Sequence, residues 1–430
     1  MLQEKKNYTL PIVVMFFLFA MISFVTGFQN PFGVILKEQL SLSNFQSQLG
    51  NAANFIAYAF MGLPAGMILQ KKGYRFSAIL AVLVGLVGVV LMFFSSYLEN
   101  ESIFGVYLCG AFVAGFSMCM LNTVVNPMLN TLGGGGKKGN QLIQFGGATN
   151  SLAATICPVL VGYLMGDNIK ECTLVDARTA LYIAMAIFAV AFIVLVLSKL
   201  PEPILEEMKN NKDKGKEDKV SLSGVFKFRH YIGGIVAIFL YVGIEVGIPN
   251  IANLYMTNEL GIPAAVAGSL VGMYWLLMLV GRLLGGALGA KISSKTMLVA
   301  VSSLAIVLLI AAIMVPADVT VSVPGVSSTL SFMTVEAPVS ILFFILCGLC
   351  TSVMWGGIFN LAVEGLGKYT AVASGFFMVM VCGGGILPLV QGAVADAAGY
   401  LSSYWVLVVA VGYLLFYSLI GSKVSKRADD

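Results

Sequence analysis

The sequence predicts an all-α integral membrane protein in which twelve transmembrane helices form two parallel six-helix repeats. Three observations predict it. The 430 residues are 58% hydrophobic and only 11% charged, too few charges to cover a soluble domain of that size. The apolar residues gather into runs of about 20 to 27, the length a helix needs to cross a bilayer. Residues of one half recur in order in the other: Gly27, Asn30 and Leu40 return as Gly247, Asn250 and Leu260.

The runs lie near 9–36, 45–70, 74–96, 104–132, 141–166 and 178–199, then 231–258, 264–291, 296–315, 338–364, 370–396 and 400–422. The first follows Lys5 and Lys6 as a signal peptide would. No small-residue cleavage site comes after "LPIVVMFFLFAMISF", and the run is too long, so it reads as a retained span. Runs two and eight carry Gly62 and Gly66, and Gly281 and Gly285, spaced to let helices approach closely. Pro158 and Gly162 in run five answer Pro388 and Gly392 in run eleven. An insertion, "VPADVTVSVPGVSSTLSFMTVEAP", precedes run ten. Between runs six and seven lies "PEPILEEMKNNKDKGKEDKVSLSG", charged and without apolar period. The expected organisation is therefore an N-terminal bundle over 1–200, a linker over 201–230 and a C-terminal bundle over 231–430. Six spans return the chain to its starting side, so the repeats are parallel, a plan that holds solute between the halves near the midplane.

Basic residues orient the spans. With both termini cytoplasmic, every Lys and Arg except Lys37, Lys170, Arg178 and Arg282 falls on the cytoplasmic side or in the linker, as the positive-inside rule requires. The net charge of +4 thus reflects orientation, and no nucleic-acid partner is expected. The seven cysteines lie mostly within spans, and Cys347 and Cys350 have no second pair or His nearby; they read as packing residues. One histidine, His230, builds no metal cluster, and no nucleophile–base pair marks an enzyme. No cofactor is expected.

Polar groups at bilayer depth are the functional signal, because lipid offers them no hydrogen bonds. The candidates for a solute surface are Gln29 and Asn30 in span one, Asn122 and Asn126 in span four, and Gln144 and Asn150 in span five. Span seven adds Glu245 and Asn250, span eight Trp275, and span ten Trp355 and Asn360. Asn122, Asn126 and Asn130 recur every fourth residue and share one helical face. Amides both donate and accept, as sugar hydroxyls do, and mid-span tryptophans offer faces to apolar sugar rings. An anion would call for basic residues, yet Arg282 alone lies well inside a span, near the cytoplasmic end. A cationic drug would call for several acids, and only Glu245 is near a span centre. As a lone buried carboxylate, Glu245 is also the candidate for ion coupling.

Several segments carry a family likeness: "LNTVVNPMLNTLG", "NSLAATICPVLVG", "FLYVGIEVGI", "YWLLMLVGRLLGGAL" and "IFNLAVEGLGK". With them the chain resembles the fucose–galactose–glucose symporter family, a bacterial sugar branch of the major facilitator superfamily. The resemblance implies the major facilitator fold in the cell inner membrane and import of a neutral monosaccharide by alternating access. It implies a hexose such as glucose, galactose, mannose or fucose. It also sets Asn30 and Asn122 where proton-coupled relatives carry acids, and Asn150 where the family has a sugar-binding asparagine. Proton coupling, sodium coupling and uniport all stay open. The competing reading is an exporter of drugs or other metabolites. The protein is expected to act as a monomer.

Overall fold

The computed structural model describes residues 8–42, 44–98, 101–165, 172–206, 222–262, 264–326 and 332–424. Within helices and strands it leaves some side chains undescribed, those of 25–31 among them. Helix α1 runs Thr9–Gln39. The continuous stretch Asn44–Ser95 breaks at Gly73, whose φ of 82° no L side chain adopts without strain; the break makes two crossings, α2 (44–72) and α3 (74–95). Helix α4 is Glu101–Leu132, α5 Gly136–Met165 and α6 Arg178–Leu197. A 3-10 turn, Leu222–Lys227, leads into α7, Arg229–Leu254. Then come α8 (Ala264–Gly289) and α9 (Ser294–Met314). Crossing α10 is made of Val339–Ser352 and Met354–Val363, and α11 of Thr370–Val379 and Gly383–Ala398. Helix α12 is Tyr400–Phe416. The twelve crossings are those expected from the apolar runs, and large apolar side chains such as Leu197 and Val409, 78% and 73% exposed, lie on the outer surface of the helices, as a bilayer-facing surface requires.

The insertion before α10 departs from the all-helical plan. Its alternating "VTVSV" pairs Thr320–Val326 (β1) with Phe332–Pro338 (β2) as an antiparallel hairpin, Thr320 opposite Pro338 and Val323 opposite Val335. Val323 and Ala337 are buried, and the hairpin rests on α8 and α10. It marks the side of the molecule opposite the two termini.

Helix breaks release backbone groups for use elsewhere. Pro249 in α7 has no N–H, so the Glu245 carbonyl loses its helical donor; the Tyr274 hydroxyl of α8 donates to it at 3.2 Å. The break in α10 at Val353, with ψ of −6°, releases the Ser352 carbonyl to Arg282 of α8, while the Val353 carbonyl keeps the Gly357 N–H and takes Gln144 of α5 as a second donor. At the linker, both oxygens of Glu202 accept the first N–H groups of α3, Tyr74 at 2.7 Å and Arg75 at 2.8 Å, as a capping carboxylate does.

The first and last six helices meet along two seams on the side of the termini. In one, α2 and α11 touch backbone to backbone. A Cβ on Gly62 would stand 2.8 Å from the Gly375 oxygen, and one on Gly66 would stand 2.8 Å from Gly375 Cα, so only glycine fits. In the other, α5 packs on α8, where Gly286 faces Phe145 and Gly289 faces Gln141.

Candidate functional site

Between the two sets of six helices lies a cavity of about 840 Å³. It reaches to Gly268 and Pro324 on the hairpin side and ends on the side of the termini at Gln144, Trp355 and Gly356.

At its centre, one side chain joins four helices. The Arg282 guanidinium of α8 lies 3.1 Å from the Glu245 carboxylate of α7. It donates to the Gly147 carbonyl at 2.9 Å, the Ser151 hydroxyl at 2.7 Å and the Asn150 amide oxygen at 3.4 Å, all on α5. Its Nε reaches the Ser352 carbonyl at 3.4 Å. Both ions are largely buried, with side chains 9% and 15% exposed. Charge-assisted bonds of this kind are the strong ones, and a buried charge is tolerated only when paired and hydrogen-bonded. Two expectations are corrected here. Glu245 is not a lone carboxylate, and Arg282 reaches the cavity instead of staying with the glycine seam near the helix end. The physical reason was present in the sequence: one acid and one base at depth on consecutive spans are each costly alone in lipid and neutral together.

The amides divide into two groups. Asn122, Gln144, Asn150 and Asn250 line the cavity, as do Trp275 and Trp355. Asn122 donates to the Tyr58 hydroxyl at 2.8 Å, and Asn150 to the Phe19 carbonyl of α1 at 2.9 Å. Asn126 and Asn360 do not line it. Asn126 donates back to the Asn122 carbonyl at 2.9 Å and its oxygen accepts the Trp355 indole N–H at 2.9 Å. Asn360 donates to the Gly136 carbonyl at 2.8 Å and the Asn130 oxygen at 3.4 Å. These two belong to the closed floor. Gln144 shares in it, donating at 3.0 Å to the Val353 carbonyl, which also accepts the Gly357 N–H at 3.0 Å. The side chains of Gln29 and Asn30 lie outside the described residues.

Sequence reasoning missed Tyr58, Ser151 and Arg282, together with the apolar wall of Phe19 and Phe55. For the hydroxyls no periodic signal exists, since Ser and Thr are common in membrane helices; for Arg282 the opposite charge on α7 was the signal. Trp355 is fixed edge-on to Tyr241 and Phe377, with ring centroids 6.2 and 6.1 Å away. Among the described residues no group of three metal-ligating side chains occurs.

Comparison with known proteins places this architecture. Over 424 residues the chain is 28% identical to a protein named glucose/galactose transporter from Brucella abortus biovar 1 (strain 9-941), covering 98% of this chain and 96% of the relative. It is 23% identical to the L-fucose-proton symporter of Escherichia coli (strain K12), covering 92% of this chain and 89% of that one. Its fold matches a crystal structure of the E. coli fucose:proton symporter FucP with a TM-score of 0.78 at 20% identity, over 97% of this chain and 100% of the other. The model of the Major Facilitator Superfamily matches residues 15–388, and this multi-pass membrane protein belongs to that superfamily.

Proposed function

We propose that the protein is a secondary transporter that imports a neutral hexose across the bacterial inner membrane, with both termini in the cytoplasm. The two sets of six helices, 1–200 and 231–430, rock about the central cavity as bundles joined by the 201–230 linker. One observation carries this reading: the cavity presents neutral amides, hydroxyls and two indoles around a charge pair that is already neutralised within the protein. Donor–acceptor groups match the hydroxyls of a monosaccharide, and Trp275 and Trp355 offer ring faces. With Arg282 engaged by Glu245 and by α5, no free cation is left among the described cavity residues to select an anion. The relatives named as glucose/galactose and fucose transporters support the same class.

In this orientation the structure is outward-facing, closed on the cytoplasmic side by the α2–α11 and α5–α8 seams. Glu245 is the coupling carboxylate: its charge holds Arg282, and Arg282 holds α5. A proton or sodium ion that neutralises or engages Glu245 changes how strongly Arg282 bridges the bundles, and so biases the two states unequally, as coupling requires. The direct test is uptake of labelled glucose, galactose, mannose and fucose into proteoliposomes, with pH and sodium gradients imposed separately. Saturable uptake of at least one sugar is expected, raised by one of the gradients. No saturable uptake of any of the four defeats the assignment.

A further inference from the structure

The floor of the cavity contains an amide with nothing to do. Asn140 on α5 is fully buried, and neither its nitrogen nor its oxygen has a hydrogen-bond partner. Leaving such a group unsatisfied is strongly unfavourable at this depth, so a role in some other state of the protein is the physical expectation. Its position says which state. A Cβ built on Gly356 would stand 3.1 Å from Asn140 Oδ1 and 2.7 Å from Gln144 Nε2. Gly356 is itself part of the cavity wall. Asn140 therefore lies one bare backbone unit beneath the floor, on the side of the termini.

The floor above and beside it is sealed by neutral hydrogen bonds. Trp355 donates to Asn126 at 2.9 Å, Gln144 to the Val353 carbonyl at 3.0 Å, and Asn360 to the Gly136 carbonyl at 2.8 Å. Each of the three crosses from α4 or α5 to α10, between the first and last six helices. When those helices part, the Trp355 and Gln144 donors and the Asn126 oxygen lose these partners at once, and Asn360 loses its bond to Gly136. They then need water or a solute bearing hydroxyls.

We infer that Asn126, Asn140 and Asn360 form a second polyol subsite, closed in this conformation, which opens with the floor and binds the sugar on the cytoplasmic side. The inference rests on the sugar reading above and extends it. In the outward-facing state Asn126 and Asn360 act as the latch and Asn140 is idle. In the inward-facing state all three line the exit, with Gly356 leaving room for the ring because it has no side chain. Transfer from the outer surface to the inner one then exchanges like chemistry for like, amide for amide.

Asn140 is the residue that tests this, because it makes no bond in the closed state. In proteoliposomes, the Asn140→Ala variant is compared with wild type for labelled D-galactose, D-glucose and L-fucose, measuring KM for entry from the hairpin side and for efflux from the cytoplasmic side. The expected result is a KM for entry within about twofold of wild type and a KM for efflux raised about fivefold, the factor for one hydrogen bond of about 1 kcal/mol. Asn140→Ser, which keeps a donor and an acceptor, is expected to fall between. The melting temperature of Asn140→Ala in detergent should not drop, since an unpartnered amide is removed. An efflux KM equal to wild type overturns the subsite. So does a shift of the two KM values in opposite directions by similar factors, which marks only a changed balance between conformations. If wild type carries none of these three sugars and no D-mannose, the sugar reading fails and the subsite with it; if wild type carries sugar and Asn140→Ala is unchanged, only the subsite fails.

Discussion

The guanidinium of Arg282 stands 3.1 Å from the Glu245 carboxylate and 2.7 Å from the Ser151 hydroxyl, so a single side chain ties a residue of the last six helices to one of the first six. Whatever changes the charge of Glu245 changes the contact between them.

Glu245→Gln keeps the size of the side chain and removes its charge. Arg282 then loses its ionic partner, and ion-driven accumulation of sugar should fall to the level of equilibration. Exchange of labelled for unlabelled sugar should persist in part, because exchange needs the solute site but no net ion movement. Accumulation and counterflow in the same vesicles separate the two. Undiminished accumulation excludes Glu245 as the coupling group.

Arg282→Ala leaves a buried carboxylate without a counter-charge, which typically costs about 3 kcal/mol or more. The variant should melt well below wild type. Combining it with Glu245→Gln should recover much of the loss, because the stranded charge is gone. Ser151→Ala should be far milder, about 1 kcal/mol, since it removes one of several acceptors. Thermal unfolding in detergent of wild type, Glu245→Gln, Arg282→Ala and the double variant measures the interaction as a double-mutant cycle. Strict additivity of the two substitutions contradicts the pair.

A Cβ at position 375 would stand 2.7 Å from the Gly62 oxygen and 2.9 Å from Gly66 Cα. Gly375→Ala should therefore push α11 away from α2 and open the side of the termini. Spin labels on the ends of α2 and α11 at that side should report a longer mean distance than in the parent, and apparent affinity for sugar from the outside should fall. Distances unchanged from the parent argue that this seam does not hold the closed state.

Glu202 caps the start of α3 from the first residues of the linker. Burial pushes its carboxyl above the usual glutamate range, against the pull of the two N–H bonds and of Arg75. The folded protein thus holds this proton more tightly than the unfolded chain does. Its contribution to stability accordingly grows as pH falls through the raised value and shrinks as pH rises past it. The difference in melting temperature between wild type and Glu202→Gln should move in that direction over the acid range. A difference that does not vary with pH removes the titration from the account.

The sequence alone determined the twelve crossings and their boundaries to within a few residues, because the bilayer imposes length and apolarity on each helix separately. It also determined that amides at depth must be sheltered, and Asn122, Gln144, Asn150 and Asn250 do line the cavity. Only the tertiary structure decided which amides face the void and which seal it. Asn122 and Asn126 share one helical face, yet the first opens to the cavity and the second meets Trp355 from the other set of helices. Helical periodicity gives a face; the partner on that face depends on how far two bundles have closed. The pairing of Glu245 with Arg282, the bond from Arg282 to the Ser352 carbonyl released at the break in α10 and the hairpin over the cavity are all contacts between segments distant in the chain, and no local pattern encodes the distance between them.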